Sequence, residues 1–393
     1  MASQQLRREL GMLGAIVTGL GSIVGTGAFV AIGIASSRWG DVVIWAIPLA
    51  ALVAVFNGMS SAFLAGRFPV AGGTYEYGYQ TLNPWLGFAA GWLFLLAKTA
   101  SAATAALGIA LYLGVEGPLV PIVAVGAIMV LVLSGIRRTA LVNALLVSLT
   151  VAAIAWFAWS GLTGEGALGV ITFTEPSPSL LAATAFLFVA YTGYGRIATL
   201  GEEVRDPARI IPRAVIVTLV IAAVLYLAIE IGGRALAGES WGAILELGFL
   251  DMPFVTFGAI TAMLGVLLNL VLGLSRVWLA MGRRSDMPAP LGKLDARREP
   301  TNAIVLASVT IAGLTLIGDI GLAWSFSAMT VLLYYGITNL AALAVDRSRL
   351  TAWLGLGSCV FLSFFVTPEV WIAGVILISV GLAWKTVFAR VAS

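Results

Sequence analysis

Apolar runs long enough to cross a membrane recur from one end of this chain to the other, and few folds can hold them. They lie at about 12–36, 42–66, 84–114, 118–135, 141–161, 180–204, 212–236, 253–282, 302–318, 322–345, 351–367 and 370–388. Each approaches or exceeds the ~18 residues that mark a segment able to span ~30 Å of hydrocarbon as a helix. A helix is also the only open-chain conformation that satisfies its own backbone donors and acceptors where there is no water. The expectation is an all-α membrane protein of twelve transmembrane helices, folded as a single domain over residues 1–393. Only 10% of the residues are charged, against roughly a quarter in soluble proteins. The longest polar stretch, 283–302, is too short to fold by itself.

The net charge of +3 follows from where the basic residues sit and does not call for a nucleic-acid partner. With the N-terminus inside, Arg137, Arg138, Arg283, Arg284, Arg347 and Arg349 fall in inner loops, while the outer loops carry only Arg38 and Arg234. That asymmetry predicts a multi-pass protein of the cell's inner (plasma) membrane with both termini in the cytoplasm. No cleavage pattern follows the polar opening MASQQLRREL, so no signal peptide is expected. The chain has no His and one Cys, Cys359, which removes imidazole ligands, His acid–base chemistry and an intrachain disulfide. No metal and no cofactor is expected. An enzyme would need placed acids, bases or a metal, and clustered intramembrane carboxylates are missing as well. A channel would call for a ring of like groups around an axis. The oligomeric state is not legible.

Two of the runs carry helix-weakening glycines at mid-membrane. The first contains GSIVGTGAF, with Gly21, Gly25 and Gly27; the sixth contains AYTGYGR, with Gly193 and Gly195. Each glycine lowers helix propensity by ~1 kcal/mol relative to Ala. Close helix packing is the plainer explanation, since small residues four apart make helix contacts in membranes. The pairing favours another. Runs one and six correspond if runs 1–5 and 6–10 form an inverted repeat, and glycine-interrupted helices at matching places mark transporter sites. A break frees backbone N–H groups, which suit a carboxylate at a helix start, and carbonyls, which suit an ammonium group. A zwitterionic α-amino acid matches both.

At these residues the sequence resembles the amino acid–polyamine–organocation transporter family, over roughly residues 10–345. Gly21–Phe29 is similar to its first-helix motif, and RFPVAGGTYEYGYQTLNPWLGFAAGW (67–92) to its P-x-x-G-G-x-Y segment. FVAYTGYGRIATLGEEVRDPARIIPRA (188–214) resembles its sixth helix, and SRVWLAMGRRSDMP (275–288) its eighth-helix S-R motif. The resemblance implies a LeuT-type 5+5 inverted repeat with helices one and six broken. The core repeats would cover about 12–161 and 180–345, with two further helices at about 351–388. It implies alternating access, by permease or exchanger, around a site between helices one, three, six and eight. Carried over residue by residue, the amides near Gly25, Thr26 and Gly27 would hold a substrate carboxylate. The carbonyls of Ile23, Val189 and Thr192 would accept from its ammonium, and Tyr191 and Tyr194, flanking the break at Gly193, would cover the site.

The chain departs from the family at charged positions. Many members place a lysine in helix five, where this sequence has Leu149 or Thr150, and many carry an acid at the place of Gly195. Two cations remain within the runs, Lys98 and Arg196. Intramembrane charges are usually paired or functional. Arg196 is expected to pair with Glu202, Glu203 or another helix. Lys98 stands as a candidate for coupling to a proton, against snorkelling and against binding a second carboxylate of an acidic amino acid. With no acid near either break, neutral amino acids are the favoured substrates over arginine, agmatine and polyamines. Transport is expected to be sodium-independent, driven by protons or by exchange. A non-transporting substrate sensor on the same fold is the remaining alternative.

Overall fold

The computed structural model describes residues 10–163, 177–201, 203–238, 241 and 253–392. The opening stretch read for a signal peptide lies outside them, except for Leu10, and so does Glu202. Among the described residues the chain is helical, with one isolated bridge between Leu10 and Val204.

The order begins with α1 (Met12–Ile23), a π-helical turn (Gly27–Ala31) and α2 (Ile32–Trp39). Next come α3 (Val43–Arg67), the short α4 (Thr74–Thr81), α5 (Pro84–Tyr112), α6 (Leu119–Leu133) and α7 (Ile136–Leu162). After these follow α8 (Pro178–Tyr191), α9 (Tyr194–Ala198), α10 (Pro207–Ala237) and α11 (Pro253–Arg283). The series ends with α12 (Thr301–Thr315), α13 (Ile320–Val345), α14 (Leu350–Ser363) and α15 (Pro368–Ala392).

Among the described residues, seven helical stretches are long and apolar enough to cross a membrane: Met12–Arg67, Pro84–Tyr112, Arg137–Gly161, Pro207–Ala237, Pro253–Arg283, Ile320–Val345 and Pro368–Phe388. Four more apolar helices, α6, α8, α12 and α14, are shorter, at 14 or 15 residues. The periphery is apolar too: Leu119 is 72% exposed, Trp159 69% and Phe364 78%. Such a coat suits lipid and would be an aggregation liability in water. This is a multi-pass membrane protein.

Local signals fix the helix starts that frame the site. The Asn83 side chain accepts from the N–H groups of Trp85 and Leu86, and Pro84 occupies the first helical position of α5, where its missing N–H costs nothing. Asp319 caps α13 through the Leu322 N–H at 2.8 Å. Helix α1 packs against α7, α9, α10 and α11, and α5 lies between α11 and α13.

Polar clusters tie the helices together at both ends. At one end Glu230 of α10 pairs with Arg234 at 2.6 Å and accepts from Ser36 Oγ of α2 at 2.7 Å and Trp241 Nε1 at 3.0 Å. Arg234 also reaches Asp41. At the opposite end Arg284 grips Glu76 of α4, and Asp286 accepts from Tyr75 and Tyr79. Lys385 of α15 joins that cluster, donating to the Tyr79 hydroxyl and the Pro84 carbonyl, while Trp384 Nε1 donates to the Asp286 carbonyl at 3.2 Å. Higher in the same helix the Leu377 carbonyl accepts from Trp92 Nε1 of α5 at 2.8 Å.

Candidate functional site

Both glycine-bearing runs are interrupted where the sequence places the breaks. Helix α1 ends at Ile23, Val24 adopts an extended conformation, and helical structure resumes at the π-helical turn from Gly27. Helix α8 ends at Tyr191 and α9 begins at Tyr194, leaving Thr192 and Gly193 between them. The two breaks touch backbone to backbone. A Cβ built on Gly193 would sit against the carbonyl of Ser22 and the side chain of Ile23, closer than the 3.0 Å that real Cβ contacts respect. A Cβ on Gly27 would lie 2.5 Å from the Tyr226 hydroxyl and 2.7 Å from Ala190 Cβ. Glycine is required here for approach, which joins the packing explanation and the break explanation in the same residues.

A small buried cavity lies where the breaks meet. Ser22, Ile23, Thr26 and Gly27 line it from the first break, Val189, Ala190, Thr192 and Gly193 from the second. Lys98 and Ser101 face it from α5, Val266 and Leu270 from α11, and Trp324 from α13. As the side chains stand, it has room for only a few water molecules, so any organic ligand must be small or must shift them. No carboxylate lines it.

Most of the residues expected at the site are thus brought together: Ile23, Thr26, Gly27, Lys98, Val189, Thr192 and Gly193. Two are not. The Cβ direction of Gly25 meets Val266 and the Ala262 carbonyl of α11, making it a helix contact. Tyr191 points toward α3, where its hydroxyl donates to the Ile47 carbonyl at 3.1 Å and its ring packs on Tyr226 at 5.1 Å. Tyr194, expected to cover the site beside it, is buried against the Tyr335 ring at 5.1 Å. Both tyrosines hold the second break in place from behind. Ser22, Ser101 and Trp324 went unread. Ser101 had a signal, standing three residues from Lys98 on one helix face; Trp324, contributed by a distant helix, had none.

The polar atoms divide into two groups. The Thr26 hydroxyl is buried and has no hydrogen-bond partner, an arrangement that costs about 1–3 kcal/mol unless something pairs with it. The carbonyls expected to face an ammonium already have donors, although Ile23 O shares the single Tyr226 proton with Ala190 O and keeps a lone pair. Ile23 O accepts from the Tyr226 hydroxyl at 2.7 Å. Val189 O accepts from the Thr192 N–H at 3.0 Å and its hydroxyl at 2.7 Å. Thr192 O accepts from the Gly195 N–H and the Tyr335 hydroxyl, both at 3.2 Å, and from Lys98 Nζ at 3.3 Å. Lys98 Nζ also donates to the Thr192 hydroxyl at 2.8 Å. Lys98 is only 4% exposed; its ammonium is held in the site and does not snorkel.

Arg196 turns the other way. Its guanidinium donates to the Thr199 hydroxyl at 3.0 Å and lies 3.7 Å from Glu203, which Arg276 of α11 engages at 3.1 Å. Arg276 also approaches Glu299 at 3.9 Å. In α7, Thr150 faces α11 and lies 3.3 Å from the Thr261 hydroxyl, while Leu149 is partly exposed. Each of these hydroxyls also bonds a carbonyl of its own helix. Among the described residues no group of three His, Cys, Asp or Glu side chains could hold a metal ion.

A family model described as amino acid permease matches residues 14–232 and 250–390. An uncharacterized transporter of Mycobacterium tuberculosis is 37% identical, with 96% of this chain and 91% of that protein covered. A branched-chain amino acid permease of Bacillus subtilis is 26% identical over 75% of this chain and 71% of its own length. A methylthioribose transporter of the same organism is 23% identical over 99% and 95%.

Proposed function

Because the chain belongs to the amino acid permease family, within the amino acid–polyamine–organocation superfamily, we propose that it carries small neutral amino acids by alternating access through the cavity between its two helix breaks. It is a transporter and not an enzyme. The observation that carries the substrate reading is the buried, unpartnered Thr26 hydroxyl at the first break, where helical structure resumes at Gly27. The apolar wall of Val266, Leu270 and Trp324 suits an uncharged side chain, and the lack of a carboxylate disfavours a second positive charge. The branched-chain permease among its relatives agrees with that choice.

Twelve crossings follow if Met12–Arg67 divides at the turn after Trp39 and the four shorter apolar helices also span. The matched breaks in α1 and α8 support the inverted repeat, and the charge asymmetry supports cytoplasmic termini in the plasma membrane. Counterflow of a labelled neutral amino acid in proteoliposomes tests the function. A sensor on this fold would bind without counterflow, and that outcome would overturn the transport reading.

Thr26→Val tests the site itself. Valine keeps the shape and removes the orphan hydroxyl, so the melting temperature should stay level or rise. Substrate affinity should fall roughly tenfold, the worth of one hydrogen bond to a charged group. An unchanged affinity would remove Thr26 from the site.

Transport is independent of sodium in this reading and is driven by protons or by exchange. Thr150 and Thr261 supply one hydroxyl per helix, each committed to a helical carbonyl, where a bound cation such as sodium needs several oxygen ligands. Concentrative uptake driven by a sodium gradient, at fixed pH and voltage, would contradict this.

A further inference from the structure

We propose that Trp324 sets the upper size of the side chain this protein carries. Its indole closes the cavity against a wider groove, so that glycine, alanine and serine fit while branched and aromatic amino acids are turned away. The inference rests on the cavity being the substrate site, and it names the residue that fixes the range of substrates there.

The first argument is where space lies. Thr26 and Gly27 on one break and Thr192 on the other offer the polar atoms for the two ends of an amino acid. Its side chain must then point toward one of the two helices that flank α5. On the α11 side nothing is open: a Cβ built on Gly25 would run into Val266 Cγ2 and the Ala262 carbonyl, so α1 and α11 are in direct contact there. On the α13 side open space is one helical turn away. Ile320 and Gly321 line a groove many times larger than the cavity, together with Val30, Ile34 and Leu111. Trp324 follows them by three or four residues, which puts it on the same face of α13, and it is the residue that α13 contributes to the cavity wall. Val30 likewise follows Gly27 by three residues at the first break. Two elements therefore set cavity and groove side by side, with the indole between them.

The second argument is that this wall is fixed. Trp324 is 2% exposed, and its Nε1 donates to the Phe186 carbonyl of α8 at 3.1 Å. Its ring packs on Phe186 at 6.1 Å, and Phe186 packs in turn on Trp39 at 5.4 Å. One turn along α13, the Ser327 hydroxyl lies 2.8 Å from that of Ser101 and donates to the Ala97 carbonyl at 3.0 Å, which stitches the backbone beneath the indole to α5. Swinging the ring aside would leave its N–H unpaired in the interior. A rigid apolar wall selects by length: one methylene more or less in such a pocket changes specificity roughly 10–200-fold.

The test is equilibrium binding of glycine, alanine, valine, leucine and phenylalanine to the purified full-length protein and to Trp324→Leu. The readout is the ratio of affinities for large and small side chains, which a general weakening of the site leaves unmoved. The wild type should prefer alanine to valine by at least about tenfold. Trp324→Leu should reduce that preference by at least about tenfold and bind leucine more tightly than the wild type does. Leu270→Ala, which opens the α11 wall instead, should shift the ratio less. A wild type that binds valine as tightly as alanine would overturn the proposal. So would an unchanged ratio in Trp324→Leu, or a larger shift in Leu270→Ala. In each of these cases alanine binding leaves the amino acid transporter standing. If no amino acid binds the wild type, the proposed function falls and the role of Trp324 with it. Should Trp324→Leu fail to fold, Trp324→Phe takes its place. It keeps an aromatic ring but loses the N–H that anchors it, so the ratio should shift the same way by a smaller amount, and no shift would overturn the proposal.

Discussion

Replacing Glu203 with alanine should destabilise the protein by about 3–5 kcal/mol, the range for removing one partner from a buried ion pair. Glu203 is 3% exposed and stands between two guanidiniums, accepting from Arg276 at 3.1 Å with Arg196 at 3.7 Å. Without it, among the described residues, Arg196 keeps the Thr199 hydroxyl and Arg276 the more distant Glu299. The tether between Leu10 and the segment after α9 is unaffected, because it runs through the Glu203 backbone carbonyl, which accepts from the Leu10 N–H at 3.0 Å. Thermal unfolding in detergent should show a clear fall for Glu203→Ala and a smaller one for Glu203→Gln, which retains one acceptor. A melting temperature equal to that of the wild type would show that the two arginines are satisfied by other means.

Gly193→Ala should abolish transport while leaving most of the helical content intact. The added methyl group points at the Ser22 carbonyl, a backbone atom that cannot rotate aside. Overpacking of this kind typically costs 1–3 kcal/mol, and here relief comes only by parting the two breaks. Parting them separates Thr26 from Thr192, so the two halves of the cavity no longer face one ligand. Binding should fall by at least about a hundredfold, with the circular dichroism spectrum little changed. Wild-type affinity in this variant would mean that the breaks do not need to touch.

Much of this arrangement could be read from the residues. The apolar runs located the helices, and the run from about 84 covers α5. The glycine clusters located both breaks, because the propensity cost is local and the matching positions are a property of the chain. What could not be read was the direction of side chains set by distant helices. Tyr226, Tyr335 and Lys98 reach the break carbonyls from α10, α13 and α5, and no spacing in the sequence announces such meetings. For the same reason Tyr191 seemed a site residue by adjacency, although its hydroxyl is claimed by Ile47. Two buried amide pairs were equally silent: Asn269 donates to Asn143 at 2.6 Å, and Asn339 to Asn57 at 2.6 Å. Each asparagine is unremarkable within its own run and becomes informative only across a helix interface. For Arg196 the sequence left Glu202, Glu203 or another helix as partner, and the structure sets its guanidinium 3.7 Å from Glu203.

The attachment of the last helix has a practical consequence for measuring motion. Lys385 and Trp384 join α15 to Tyr79, Pro84 and Asp286, and its Leu377 carbonyl holds Trp92. All these partners belong to α4, α5 and the end of α11, and none to α1, α8 or α9. The outer face of α15 is open, with Ile372 63% and Val387 60% exposed. A spectroscopic label there would sit on a helix whose polar ties avoid the broken helices, clear of the cavity. In the alternating access proposed above, distances from it to a second label near either break would report displacement of the broken helices, giving the protein an internal ruler.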